Sequence, residues 1–223
     1  MKNIIDEFHK IYYGDKSKEE KKFWSKKSKI DEPVWERTFW MDTQILKCPL
    51  DLWIYQEIIF SIKPDIIIEC GTWNGGSALY LASICDIIKK GKIISIDTIK
   101  KQFPNHERIQ YITGSSIDEA TINSIKSQIK SLKDVVLVIL DSDHRRDHVI
   151  NEMKIYGKLV SKGSYMIVED SNINGHPVYP NFGEGPYEAI TEFLKTSDEF
   201  IIDKEKEKFF FSFNPNGYLK KIK

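Results

Sequence analysis

At 223 residues the chain has the length of one α/β domain, and with 41% apolar and 12% aromatic residues it can bury a full core, which excludes a disordered protein. Its 33 basic and 33 acidic residues cancel, so the bulk charge gives no reason to expect a nucleic-acid partner. No apolar run approaches the ~20 residues that cross a bilayer. The opening MKNIIDEFHK carries acids where a signal peptide would be apolar, and Cys48, Cys70 and Cys85 lack metal-site spacing, so a cytoplasmic location with reduced thiols is expected.

Residues 1–31 place Ile4, Ile5, Phe8, Ile11 and Tyr12 at helical spacing, which predicts one or two amphipathic helices. An irregular aromatic stretch follows through Trp35, Phe39 and Trp40. Pro49 and Pro64 then bracket a helix with Leu50, Trp53, Ile54, Ile58 and Ile59 on one face. From residue 65 the pattern alternates. Strands are predicted at 65–71, 92–98, 109–115, 135–143 and 164–170, with helices after the first strand (75–89), at 118–131 and through Val149, Met153, Tyr156 and Leu159. A long loop leads to a helix at 185–196, and strands at 200–205 and 208–213 close the chain. Continuous apolar strands joined by helices imply a mainly parallel sheet covered on both faces. Residues 1–48 form an N-terminal helical extension, a lid or an oligomer contact, and 49–223 the main domain.

Ligands of such sheets sit beyond the carboxyl ends of the strands. The first of these ends is ECGTWNGGS, where Gly71 permits a tight turn, Gly75 and Gly76 allow close backbone approach, and Ser77 is a helix-capping candidate. A dinucleotide site would carry G-x-G-x-x-G here, to lay a pyrophosphate on the helix N-terminus. This chain has G-x-x-x-G-G, with bulky Trp73 in place of the second glycine. Glu69 beside the turn would repel a pyrophosphate but accept hydrogen bonds from an amino group. Asp97, ending the second strand, suits ribose hydroxyls, and Ser115 and Ser116 suit an adenine edge. Amine, ribose and adenine without phosphate describe S-adenosylmethionine. Against it stands the plain reading of a strand-to-helix connection.

Asp141 ends the fourth strand, and Glu169 and Asp170 end the fifth, so neighbouring strands bring three carboxylates together. That much charge in one cleft is costly unless compensated. An all-oxygen donor set suits Mg²⁺, with Ca²⁺ or Mn²⁺ as alternatives. His144, three residues after Asp141, is placed to accept a proton from an acceptor hydroxyl. The loop 171–186, with Asn172, His176 and Tyr179, is expected to cover the acceptor, its glycines letting it move.

The segments KCPLDLWIYQEII, IIIECGTWNGGSALYLAS, VILDSDHRRDHVINEM, IVEDSNINGHPV and FGEGPYEAI, from about residue 35 through FSFNPNGYLKKI, closely resemble the cephalosporin hydroxylase family. Despite its name, that family looks like metal-dependent O-methyltransferases, including enzymes implicated in cephamycin methoxylation and in methylating rhamnosyl groups. The resemblance implies a Rossmann-like class I methyltransferase fold, with seven mostly parallel strands, the last antiparallel. It implies metal ligands at Asp141, Glu169 and Asp170, with Asp141 also beside the cofactor, and a catalytic histidine at His144. A more distant resemblance to catechol O-methyltransferases puts the metal acids at the same positions, with His144 in place of their lysine. The acceptor implied is a small molecule or a glycan.

Two rival classes differ in chemistry. An iron-dependent hydroxylase would need two histidines and a carboxylate, usually opened by H-x-D or H-x-E, which the sequence lacks. A non-catalytic accessory subunit that only binds the cofactor would have no need of the acidic trio. Trp73 and Glu69 oppose a third idea, an NAD oxidoreductase.

Overall fold

The computed structural model describes residues 2–14 and 33–223. Its centre is a run of five residues with no polar interruption until Glu69, strand β3 (Ile66–Cys70), in which every side chain is buried. Alternate side chains feed opposite layers. Ile66, Ile68 and Cys70 pack in one apolar cluster and Ile67 in another. A strand buried on both faces must have neighbours on both edges. β4 (Lys92–Asp97) and β6 (Val136–Leu140) pair with it in parallel, setting Ile66 opposite Lys92 and Val136. With β5 (Ile109–Thr113), β7 (Tyr165–Val168), β8 (Phe200–Ile202) and β9 (Tyr218–Lys221) the sheet order is β5-β4-β3-β6-β7-β9-β8. β9 runs antiparallel to both its neighbours. A separate hairpin joins β1 (Phe39–Trp40) to β2 (Thr43–Gln44).

The helices cover both faces. α1 is Lys2–Tyr13, α2 Pro49–Ile62, α3 Gly76–Ile87, α4 Glu119–Lys126, α5 Arg146–Tyr156 and α6 Pro186–Thr196. α2 and α3 place Ile54, Ile58, Leu81 and Ala82 against Ile67, Ile93 and Ile167. α4, α5 and α6 place Ile125, Met153, Tyr156 and Ile190 against the other face. Each fully buried apolar side chain contributes roughly 1.5–3 kcal/mol. Pro49 starts α2, Lys63 ends it in a left-handed conformation (φ 48°), and Pro64 prevents its continuation. Among the described residues, no helix is long and apolar enough to cross a membrane.

Three expectations need correcting. The last strand is 218–221, not 208–213. FFFSF reads as a strand by its apolar content, but it is a loop whose Phe211 and Phe213 are buried in a cluster with Tyr13 and Cys48. On α2, Leu50 and Trp53 do not share the buried face: Trp53 is 58% exposed, and Asp51 and Tyr55 lie inward instead. The helices predicted at 118–131 and through Leu159 stop at Lys126 and Tyr156. Of the helices expected over residues 1–31, α1 is described, and residues 15–31 lie outside the described residues.

Candidate active site

The chain leaves β3 and β6 in opposite directions across the sheet, which opens a crevice at their carboxyl ends. Gly71 stands there with φ +103°, and a Cβ on it would lie 1.9 Å from the Asp141 carbonyl oxygen. Gly76 likewise makes room for the backbone of Gln44 and Ile45, with its added Cβ 2.2 Å from the Gln44 oxygen. Both glycines are therefore required by protein backbone packed against the turn. Gly75 is the N-cap of α3, at φ +81°, and Ser77 is the second residue of that helix, not its cap.

Asp141 and Gly71 form a partition between two cavities. The first, of about 420 Å³, is lined by Trp73, Asp97, Ser115, Ser116 and Ser142 among others. Asp97 braces the turn, since its Oδ2 accepts from the backbone N–H of Thr72 at 3.2 Å and of Trp73 at 2.9 Å. Trp73 is 53% exposed, with the Lys101 ammonium 4.4 Å from its ring centre. Ser116 and Ser142 each lie 3.2 Å from His148 Nε2, and Ser142 also donates to buried Glu152 at 2.6 Å. The Glu152 carboxylate beside His148 raises that imidazole's pKa. Glu69 lies beneath the turn and lines neither cavity. It is fully buried, accepts from Ser95 Oγ at 2.6 Å, and is pushed up to about 6 by desolvation, against the pull of Lys47.

The second cavity, of about 350 Å³, lies on the other side of the partition. Its polar floor is Asp141, His144 and Asp170, each offering an atom within 4.8 Å of the others. His144 Nε2 is 3.2 Å from Asp170 Oδ2. Asp170 has φ +53°, in the left-handed region that aspartate enters more readily than most residues. Burial raises its carboxyl pKa, and His144 opposes the rise. The walls are aromatic and apolar: Tyr13, Trp35, Ile173, Tyr179 and Phe182.

Glu169 is placed apart from this floor. Its buried carboxylate accepts from Lys47 Nζ at 2.5 Å, and the same ammonium bonds Asp141. Burial pushes the Glu169 carboxyl well up, with Lys47 opposing. Asn172 is fully buried and accepts from the Tyr13 hydroxyl at 3.4 Å. His176 stacks on Tyr187 with 3.8 Å between centres and sits 2.8 Å from Glu188, and it lines neither cavity. Of the expected loop residues, Tyr179 reaches the second cavity.

Lys47 and Tyr13 went unread in the sequence. A lone lysine inside ILKCPL is the mark of a buried counter-ion, since burying an ammonium without a partner is costly. Tyr13 carried no comparable mark, because an aromatic residue at helical spacing reads simply as core.

A parallel sheet in this order, reversed at its last strand and carrying a glycine turn and acidic strand ends at the switch point, defines a class I methyltransferase fold. Solved structures agree. That of CmcI-D160 with Mg and SAM superposes with a TM-score of 0.67 at 20% identity, covering 91% of this chain and 84% of the other. The O-methyltransferase TomG from Streptomyces achromogenes, in complex with SAM, gives 0.51 at 13% identity over 78% and 80%. The family described as rhamnosyl O-methyltransferase/CmcI matches residues 32–222. The rhamnosyl O-methyltransferase of Mycobacterium tuberculosis strain H37Rv is 37% identical over 223 residues, 97% of this chain and 84% of the relative. That of Mycobacterium leprae is 38% identical over 230 residues, 97% and 90%. The chain belongs to the rhamnosyl O-methyltransferase/CmcI family.

Proposed function

We propose that this chain transfers a methyl group from S-adenosylmethionine to a hydroxyl of a sugar or natural product with the help of a divalent cation. The observation that carries the reading is the meeting of two cavities at Asp141, with Asp170 and His144 on the acceptor side of the partition. The cofactor would take the first cavity, with its nucleoside toward Asp97, Ser115 and Ser116. Trp73 and the Gly71 turn would pass its sulfonium end toward Asp141.

The donor set fits a hard cation. Asp141 and Asp170 offer carboxylate oxygens to one point, and Glu169 stands next in the chain as a third carboxylate, held by Lys47. Mg²⁺ is the first choice, with Mn²⁺ or Ca²⁺ as alternatives. Such a cation, when bound, would lower the pKa of an acceptor hydroxyl. One histidine with two carboxylates does not make the two-histidine, one-carboxylate set of an iron hydroxylase.

His144 would take the acceptor proton, its ring standing beside Asp170 with Nε2 3.2 Å from Oδ2. The aromatic walls exclude water from the hydroxyl and hold the acceptor near the partition. A rhamnosyl glycoside is the acceptor to try first, because that is the group named for the curated relatives. A cytoplasmic site of action goes with this reading, since all three cysteines are unpaired.

Calorimetric titration of S-adenosylmethionine and of NAD, each with and without Mg²⁺, tests the assignment. S-adenosylmethionine should bind and NAD should not. A labelled methyl group should be transferred to a rhamnosyl glycoside, and that transfer should stop in EDTA. NAD binding alone, or full transfer in EDTA, would defeat the reading.

A further inference from the structure

Helix α1 lies ahead of residues 32–222, the span matched by the family described above, yet its last residue lines the acceptor cavity. Its inner face packs on the 211–213 loop: Phe8 meets Phe211 edge-on with 4.9 Å between centres, and Tyr12 meets Phe213 at 5.7 Å. That contact delivers Tyr13, the last residue of the helix, into the cavity wall, where it is 4% exposed. Its ring stacks on Trp35 at 5.5 Å, and Tyr179 both packs edge-on against it at 5.3 Å and donates to its carbonyl oxygen at 3.3 Å.

The Tyr13 hydroxyl donates to Asp170 Oδ1 at 2.9 Å, while Asp170 Oδ2 faces His144 at 3.2 Å. The two oxygens of this carboxylate are thus divided between α1 and the acceptor floor. Asp170 needs such a clamp. Its backbone is held at positive φ, and the Asn214 side chain secures its N–H at 3.1 Å. With the backbone fixed on one side and Oδ1 on the other, Oδ2 is left turned toward Asp141 and His144.

We infer that Tyr13 is a positioning residue for Asp170, so that α1 is a working part of the metal and acceptor compartment. The inference rests on the metal-assisted reading above. Partners that orient a ligating carboxylate typically change metal affinity by 10–100-fold when removed. The test uses the full chain with Mn²⁺ as the probe, followed by paramagnetic titration, and S-adenosylmethionine by calorimetry. Tyr13→Phe keeps the ring and removes the donor.

Mn²⁺ affinity should fall about tenfold, while S-adenosylmethionine affinity stays within about twofold and melting stays within about 10 °C of the parent. In an Asp170→Asn background the same change should have no further effect on Mn²⁺, because Tyr13 acts through that carboxylate. Equal Mn²⁺ affinity in parent and Tyr13→Phe overturns the inference. So does a variant that melts far below the parent or loses both ligands together, since Tyr13 would then be structural. A parent that binds no Mn²⁺ at all overturns the metal reading itself, and the inference falls with it.

Discussion

The two cavities that meet at Asp141 are built in different ways. The Asp97 side is made of consecutive strand ends: Gly71 and Trp73 after β3, Asp97 at the end of β4, and Ser115 and Ser116 after β5. Its polar groups are tied to backbone amides or to one another, so the sheet itself sets their positions. The His144 side gathers residues from six stretches, at 13, 35, 44–46, 71–77, 141–144 and 170–182. Its outer walls are aromatic, while its floor and the turn after β3 rest on the sheet. In the proposed function, the fixed half would take the invariant cofactor and the assembled half an acceptor that varies.

Substitution at the shared partition should break both halves together. Asp141→Ala removes a carboxylate common to the two cavities and a partner of Lys47. Methyl transfer should fall by roughly 10³-fold or more, as several kcal/mol of metal assistance disappear, and S-adenosylmethionine should bind more weakly too. An Asp141→Ala protein with near-normal turnover would show that the two cavities do not work as one site.

His144→Ala should break the acceptor half alone. A drop in kcat of roughly 10²–10⁴-fold is expected for loss of a general base, with cofactor affinity unchanged by calorimetry. If both fall equally, His144 belongs to neither half in particular.

Lys47→Met probes the charge beneath the partition. Without the ammonium, Glu169 is left buried and unpaired, and stability should drop by about 3–5 kcal/mol in metal-free buffer. Mg²⁺ should recover much of this, and the measurement is the urea midpoint with and without the ion. A loss that Mg²⁺ leaves untouched would separate Lys47 from the metal site.

Asp97→Ala should touch the nucleoside half. The turn amides of Thr72 and Trp73 lose their acceptor, and cofactor affinity should fall by about tenfold, while the acceptor KM holds.

A smaller effect lies under the acceptor wall. Asp51 accepts from Ser212, Phe213 and Tyr218 at 2.7–2.8 Å, tying α2 to the loop that carries α1. Burial pushes its carboxyl up to about 6, against the lowering effect of those bonds. The folded chain therefore holds this proton more tightly than the unfolded chain. Asp51's contribution to stability should be greatest below about pH 4 and should fade as the pH rises through about 6. Asp51→Asn should flatten that slope in urea titrations between those limits, and an unchanged slope would assign it elsewhere.

The same contrast explains what was legible beforehand. The sheet and the residues at its strand ends could be placed because strand, turn and terminal acid follow one another within a dozen residues. Asp141 and Asp170 could be read for the same reason. Lys47 and Tyr13 could not be assigned to the site, because their place depends on partners far along the chain, 94 and 122 residues away for Lys47 and 157 for Tyr13. The 208–213 segment misled for a related reason. Its phenylalanines are apolar because α1 rests on them, not because they pair in a sheet.

Gly71 has a practical consequence for anyone redesigning such a catalyst. Because even a methyl group there would collide with the Asp141 carbonyl, the spacing between the donor chamber and the acidic floor cannot be tuned from this turn. New acceptors are better sought by recarving Trp35, Tyr179 and Phe182, with the partition kept as an unaltered gauge between the two reactants.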